Sequence, residues 1–273
     1  MSRALRRDTF PLVMGILNVT PDSFFDGGKY WTMEEALDHA LAMIDDGADI
    51  IDVGGESTRP YAEALPEKEE LRRVIPIIEK LRARSDVLIS VDTYKAVVAK
   101  KALGAGADIV NDISGLTFDQ DMADVIATSG GNVVIMHIKG RPRNMQENPH
   151  YDDVVSEVKE FLRERINYAL QHGVDEQKII VDPGIGFGKR TEDNLRILKM
   201  LRDFKELGRP VMIGTSMKSF IGKVTGDHLP GARAEGTLAT LAVSLMNGAD
   251  ILRVHDVKGA RKVLMTVKAV MDT

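Results

Sequence analysis

Residues 179–189 read Ile-Ile-Val-Asp-Pro-Gly-Ile-Gly-Phe-Gly-Lys. A β-branched run stops at one carboxylate and passes into a turn carrying three glycines. A short continuous apolar run bounded by turn residues is a buried strand, and glycine lets backbone come close to a ligand. The same order recurs outward in both directions. LVMGIL stops at Asn18, DIIDV at GGESTR, VLISV at Asp92, and DIV at Asn111 and Asp112. NVVIM stops at His137, VMI at GTSMKS, and DILRV at His255. Eight apolar runs thus each end in side chains able to hold a ligand.

Amphipathic stretches separate the runs. Thr32 followed by Glu34 and Glu35 opens an apolar stripe that closes at Asp45-Asp46-Gly47, a capped helix with a left-handed stop. Seven further helices are expected at Glu67–Arg82, Lys95–Leu103, Asp119–Thr128, Tyr151–Gln171, Glu192–Leu207, Ala232–Met246 and Val257–Met271. Three helix ends share one phrase, in DDGADIIDV, LGAGADIVND and MNGADILRV: a helix stop, a Gly-Ala-Asp turn and a strand. This is a weak internal repeat of a strand–helix unit. Strands alternating with helices require a parallel sheet with right-handed crossovers, and runs apolar on both faces are what covered parallel strands need. Eight units in 273 residues predict an α/β fold, a (β/α)8 TIM barrel, as a single domain over residues 1–273. An open doubly wound sheet is the alternative, but its dinucleotide fingerprint after the first strand is missing. In a barrel the strand-end residues converge on one rim.

Composition narrows the function classes. With 44% hydrophobic and 28% charged residues the chain reads as an ordinary soluble globular protein. Absence of cysteine excludes disulfides, thiolate metal sites and cysteine nucleophiles, and fits a cytoplasmic location. A net charge of −5 gives no footprint for nucleic acid or an anionic membrane. The opening MSRALRRDTFPLVMGILNV places basic residues before an apolar run, but Pro11 and Asn18 make it a first strand rather than a signal peptide.

The strand ends hold the candidate chemistry. Asn18 to Gly28, NVTPDSFFDGG, is an oxygen-rich loop suited to Mg²⁺, which takes few protein ligands and relies on substrate phosphates. An Asx turn after the strand is the alternative for Asp22 or Asp26 alone. In GGESTRP, Thr58 offers a hydroxyl and Arg59 a guanidinium fork for phosphate. Asp92, Asn111 and Asp182 could read the donor-rich edge of a flat nitrogen heterocycle, since Asp accepts paired N–H groups and Asn both donates and accepts. Asp92 could instead cap the following helix. GIGFGK lacks the pattern of a phosphate-gripping P-loop, so Phe187 is expected to line a pocket. Lys218 and Ser219 stand at the start of a helix, where Ser219 suits a carboxylate. Arg253 and His255 are two apart on a strand, hence on one face, and could clamp pyrophosphate. His137 is ranked below His255.

Taken together, MGILNVTPDSF, GADIIDVGGESTRP, SVDT, NDISG, VDPGIGFGK, SFIGK and RVHDV, in this order and over nearly the whole chain, resemble the dihydropteroate synthase family. The resemblance implies a (β/α)8 barrel that joins 6-hydroxymethyl-7,8-dihydropterin pyrophosphate to p-aminobenzoate with Mg²⁺, working as a cytoplasmic homodimer. It implies that Asn18 contacts the metal. Asp92, Asn111, Asp182 and Lys218 would hold the pterin, and Arg253 and His255 the pyrophosphate. Thr58 and Arg59, with Asp26, would belong to two loops that close over the reacting centre, and Phe187 and Ser219 to the p-aminobenzoate site. Two positions depart from the family pattern: Met217 where arginine is usual, and Tyr61 where glycine is usual. Two other readings are a methyltetrahydrofolate-corrinoid methyltransferase, which would not need the pyrophosphate clamp, and a non-catalytic pterin-binding barrel.

Overall fold

The computed structural model describes residues 11–19, 32–227 and 229–273. Its strands are β1 (Leu12–Asn18), β2 (Ile50–Gly54), β3 (Leu88–Asp92), β4 (Ile109–Asp112), β5 (Asn132–Met136), β6 (Ile179–Asp182), β7 (Met212–Ile213) and β8 (Ile251–Val254). All pair in parallel in the order β6-β5-β4-β3-β2-β1-β8-β7. A single bridge between Val181 and Val211 brings β6 to the lead-in of β7 and rounds the sheet into a nearly closed barrel. The helices lie outside: α1 (Met33–Asp45), α2 (Glu67–Arg84), α3 (Ala96–Ala105), α4 (Met122–Ser129), α5 (Val154–Gln171), α6 (Thr191–Lys199), α7 (Ser219–Thr225), α8 (Ala234–Met246) and α9 (Val257–Met271). This is the expected eight-stranded (β/α)8 architecture.

The helix count differs from expectation by one. The short α7 is a separate helix inserted between β7 and α8, beginning beside Lys218. The helix expected over 192–207 ends at Lys199 and continues as a 3-10 segment, Leu201–Leu207. Three-residue spacing there puts Leu201 and Phe204 on one side, and both are fully buried. Thr32 caps α1 as read, with the reciprocal Glu35 contact in place.

Alternation along each strand divides the core. Met14, Ile50, Ile109, Val134, Ile180, Met212 and Ile251 face inward and pack together as the plug of the barrel. Their neighbours Val13, Ile51, Val110, Val133 and Leu252 face outward under the helices. Continuing the inward series toward the strand ends brings Asp52, Asp92, Asn111, Asp182 and Arg253 above the plug.

The Gly-Ala-Asp turns work at the opposite end. Gly47, Gly106 and Gly248 take φ of +100°, +112° and +92°, open to glycine at little cost. Each following aspartate exchanges two hydrogen bonds with the strand beside it. Asp49 N–H donates to Val13 O (2.9 Å), and Val13 N–H donates to Asp49 Oδ2 (2.8 Å). Asp108 and Ile89 do the same (2.7 and 3.0 Å), as do Asp250 and Val211 (2.8 and 2.7 Å). Each carboxylate also meets a cation: Arg261, Arg82 and Lys205 respectively. The repeat therefore starts β2, β4 and β8 and pins each to its neighbour.

Candidate active site

The inward side chains at the strand C-termini border a cavity of about 530 Å³. Its floor is a charged network. Arg253, from β8, donates through Nε to Asp52 Oδ2 (2.7 Å) and through Nη2 to Asp92 Oδ2 (2.6 Å). Asn111 donates from Nδ2 to the same Asp52 oxygen (3.0 Å), which fixes the orientation of its amide. Asn111 Oδ1 therefore points away from Asp52, buried and without a hydrogen-bond partner among the described residues. Desolvation raises Asp92 above the usual carboxylate range, although the guanidinium of Arg253 pulls the other way. Burial works against the charge of Arg253, yet Asp52, Asp92 and Asp182 outweigh it and hold the guanidinium above its ordinary value.

Asp182, at the end of β6, is 4% exposed and accepts from the Gly184 N–H at 2.7 Å. Burial pushes it up to about 6, against the Gly184 bond and the charge of Lys218. Lys218 caps the start of α7 and lays its ammonium 4.1 Å from the centre of the Phe187 ring, a cation–π distance. Desolvation and then Arg253 bring Lys218 down to about 8. His255 accepts or donates at Nδ1 with Ser216 Oγ (2.9 Å) and lies exposed at the rim. Desolvation by the pocket wall, then Arg253, Lys218 and Arg59, hold it below its ordinary value.

Asn18, Thr58, Arg59, Asp92, Asn111, Asp182, Phe187, Lys218, Ser219, Arg253 and His255 all border this one cavity. Asp26 lies outside the described residues. Asp92 does not cap α3, whose N-cap is Lys95. Arg253 sits deeper than a rim clamp: its fork is engaged by two carboxylates, so a pyrophosphate oxygen would share it with Asp52 and Asp92. Asp112 faces away from the cavity and holds the next turn through Ser114 and Leu116 N–H groups (2.7 and 2.9 Å). The loop from Gly54 is anchored below Arg59 by Glu56, which takes the Tyr94 hydroxyl (2.6 Å) and pairs with Lys95. Lys95 also pairs with the buried Glu70.

The sequence reading missed Asp52, the fully buried hub that turns both Arg253 and Asn111. A signal for it existed: a carboxylate in the middle of an apolar strand must have partners. It also missed the apolar wall of Ile113, Met136, Met145 and Ile185. Among the described residues no group of three or more His, Asp or Glu could cage a metal. The donor offered by the described mouth is the amide of Asn18, which stands 3.5 Å from where a Cβ on Gly54 would lie. That donor set fits an Mg²⁺ carried in largely by phosphate oxygens, and not a resident ion held by protein alone.

Comparison with known proteins agrees with this geometry. The family described as "Pterin binding enzyme" matches residues 14–255. A dihydropteroate synthase of Bacillus subtilis (strain 168) is 51% identical over 261 residues, covering 96% of this chain and 89% of its own length. A Yersinia pestis dihydropteroate synthase solved as a sulfonamide drug complex superposes with a TM-score of 0.95 at 40% identity, over 100% of this chain and 99% of that one. The Xanthomonas albilineans enzyme in complex with 7,8-dihydropteroate gives a TM-score of 0.89 at 44% identity, over 98% and 96%. With that coverage, and with the strand-end residues gathered as described, the chain belongs to the pterin-binding enzymes and within them to the dihydropteroate synthases, which are transferases of folate biosynthesis.

Proposed function

We propose that this protein condenses 6-hydroxymethyl-7,8-dihydropterin pyrophosphate with p-aminobenzoate to give 7,8-dihydropteroate and pyrophosphate, by a dissociative displacement. One observation carries the proposal. Buried acceptors on Asp92, Asn111 and Asp182 face the same cavity as the cations Lys218, Arg253 and Arg59. A pterin presents several N–H donors along one edge, and this acceptor set complements them. Pyrophosphate needs positive charge, and the same cavity supplies it from Lys218, from Arg59 and, deeper, from Arg253.

In the step, the C–O bond of the exocyclic methylene breaks and its electron pair leaves with pyrophosphate. The pterin ring shares the resulting positive charge, and the carboxylates of Asp92 and Asp182 stabilise it. The amine nitrogen of p-aminobenzoate then supplies the pair for the new C–N bond and releases one proton. No side chain need act as nucleophile. Fixed charges placed where charge develops are the main source of acceleration in such sites. Phe187 beneath Lys218 would flank the aryl ring, and Ser219 would receive its carboxylate. Asn18 would hold Mg²⁺, which when bound neutralises phosphate charge. Thr58 and Arg59 would complete the cover over the reacting atoms and exclude water, which would otherwise trap the cation.

The decisive assay is pyrophosphate release with both substrates and Mg²⁺. Release that depends on p-aminobenzoate is expected. Pterin binding without release would assign a non-catalytic barrel, and methyl transfer from methyltetrahydrofolate would assign the other enzyme class. We further propose a cytoplasmic homodimer joined through outer helices. Val243 and Met246 on α8 and Met265 on α9 stand exposed and support such a face. No described helix is long and apolar enough to cross a membrane.

A further inference from the structure

We propose that Lys189 is a positioning residue for pterin recognition, its buried ammonium holding the glycine loop 184–188 so that Asp182, Phe187 and Lys218 meet the ligand together. Lys189 is 3% exposed. Its ammonium donates to Gly184 O (2.9 Å), to Phe187 O (3.1 Å) and to His137 Nδ1 (2.8 Å). A further contact to His137 O is longer, at 3.5 Å. A cation with no direct carboxylate partner among the described residues, placed on carbonyls and an imidazole, is an expensive arrangement unless it organises something.

What it organises is a glycine turn with one backbone hydrogen bond of its own, from the Phe187 N–H to Gly184 O (3.1 Å). Gly184, Gly186 and Gly188 have φ of +71°, +82° and +63°, and the carbonyls of Gly186, Phe187 and Gly188 are met by side chains. A Cβ on Gly184 would fall 1.9 Å from His137 O, and one on Gly188 2.4 Å from Lys139 O. The loop is therefore pressed on the chain that leaves β5. Gln146 takes the Gly186 carbonyl (2.7 Å) and Tyr151 the Gly188 carbonyl (2.8 Å), while Lys189 takes those of Gly184 and Phe187. The residue it grips at Gly184 also donates the N–H that holds Asp182. The residue it grips at Phe187 carries the ring under Lys218. Burial brings Lys189 down to about 7 and Asp182 pulls it back up, so the two charges at the ends of the loop feel one another.

Lysine suits the place because three donors diverge from one nitrogen, whereas the planar fork of arginine cannot meet two carbonyls and an imidazole on different sides. His137 must then be neutral with its proton on Nε2, and it lies deep against Phe161, at 4.9 Å between ring centres. Burial, then the charge of Lys189, holds it well below its ordinary value.

The inference rests on the reading under Proposed function, and its test keeps the two apart. Calorimetry with 6-hydroxymethylpterin is run on the parent, on Lys189→Arg, Lys189→Gln and Lys189→Met, and on Lys178→Met. Lys178 also donates to a glycine carbonyl, Gly130, but at the far end of β6. A parent that does not bind the pterin overturns the functional reading itself. With binding in the parent, Lys189→Arg should fold and weaken pterin binding at least about tenfold, the cost of misplacing one charged hydrogen bond. In turnover its KM for the pterin should rise more than its kcat falls, and Lys178→Met should lose Tm alone. Equal binding by a folded Lys189→Arg or Lys189→Gln overturns the inference. So does failure of all three Lys189 variants to fold, which would make the residue purely structural.

Discussion

At the start of the strands, Asp49, Asp108 and Asp250 each receive a backbone N–H and a cation, and each gives its own N–H back. At the other end, among the described residues, Asp182 receives one N–H and no direct cation, while Asp92 and Asp52 share one guanidinium. Both ends place carboxylates at strand termini; they differ in how fully the lone pairs are used. The lower set is closed, each carboxylate pinning one strand to the next. The upper set keeps acceptor capacity, and burial raises Asp92 and Asp182 as a result. Stability belongs to the first end and chemistry to the second.

Substitutions at the two ends should therefore separate activity from stability. Asp182→Ala is expected to lose about a hundredfold in kcat/KM, the value of a buried charged contact of about 2–4 kcal/mol, with its Tm near the parent's. Retained turnover would make the carboxylate a turn residue only. Asp108→Ala should do the reverse. It takes the carboxylate from the half-buried Arg82 and the acceptor from the Ile89 N–H, at a cost of about 3 kcal/mol in urea unfolding and none in KM. Asp49→Ala should cost less, about 1 kcal/mol, because its pair with Arg261 is more exposed.

The pH dependence sharpens the same contrast. Asp182 gains its proton as pH falls through about 6 and then ceases to be a full acceptor, so pterin binding should weaken there. Lys218 loses its charge as pH rises through about 8, giving the alkaline limb. A plot of log kcat/KM should fall with a slope near one outside those limits, about tenfold per pH unit. Asp182→Asn should make the acid limb shallower and leave the alkaline limb in place; an unchanged acid limb would assign it to Asp92, which burial also raises. The smallest effect is expected at Tyr61, a non-glycine residue whose φ is 67°. Relief of left-handed strain is worth about 1 kcal/mol, and the greater freedom of glycine in the unfolded chain returns about 0.5–1 kcal/mol. Tyr61→Gly should thus leave unfolding free energy within about 0.5 kcal/mol of the parent. A larger loss would reveal packing by the exposed ring.

Much of the architecture was legible because parallel strands announce themselves as apolar runs and the helices carry their own stripes. Strand ends such as Asp92, Asn111 and Asp182 could be listed for the same reason. What could not be read was pairing between distant residues. The Gly-Ala-Asp phrase showed as a turn, but its second function needs Val13, Ile89 and Val211, which only the closed sheet brings alongside. Asp52 stayed hidden because an apolar run was read as a unit, and Arg253 looked like a rim residue until Asp52 and Asp92 drew it inward. The lysine ending GIGFGK gave no sign that it turns away from the cavity, since nothing local tells a side chain which wall to enter.

The barrel is joined everywhere by ladders except between Val181 and Val211, where a single contact fastens the hoop. That clasp lies between the strand bearing Asp182 and the strand leading to Lys218. A hoop under thermal agitation gapes at its weakest fastening, so the amide protons of Val181 and Met212 should exchange with solvent earlier than those of β2 and β3. Any ligand touching both lips would then draw the hoop shut, and slowed exchange at those two amides would register its arrival.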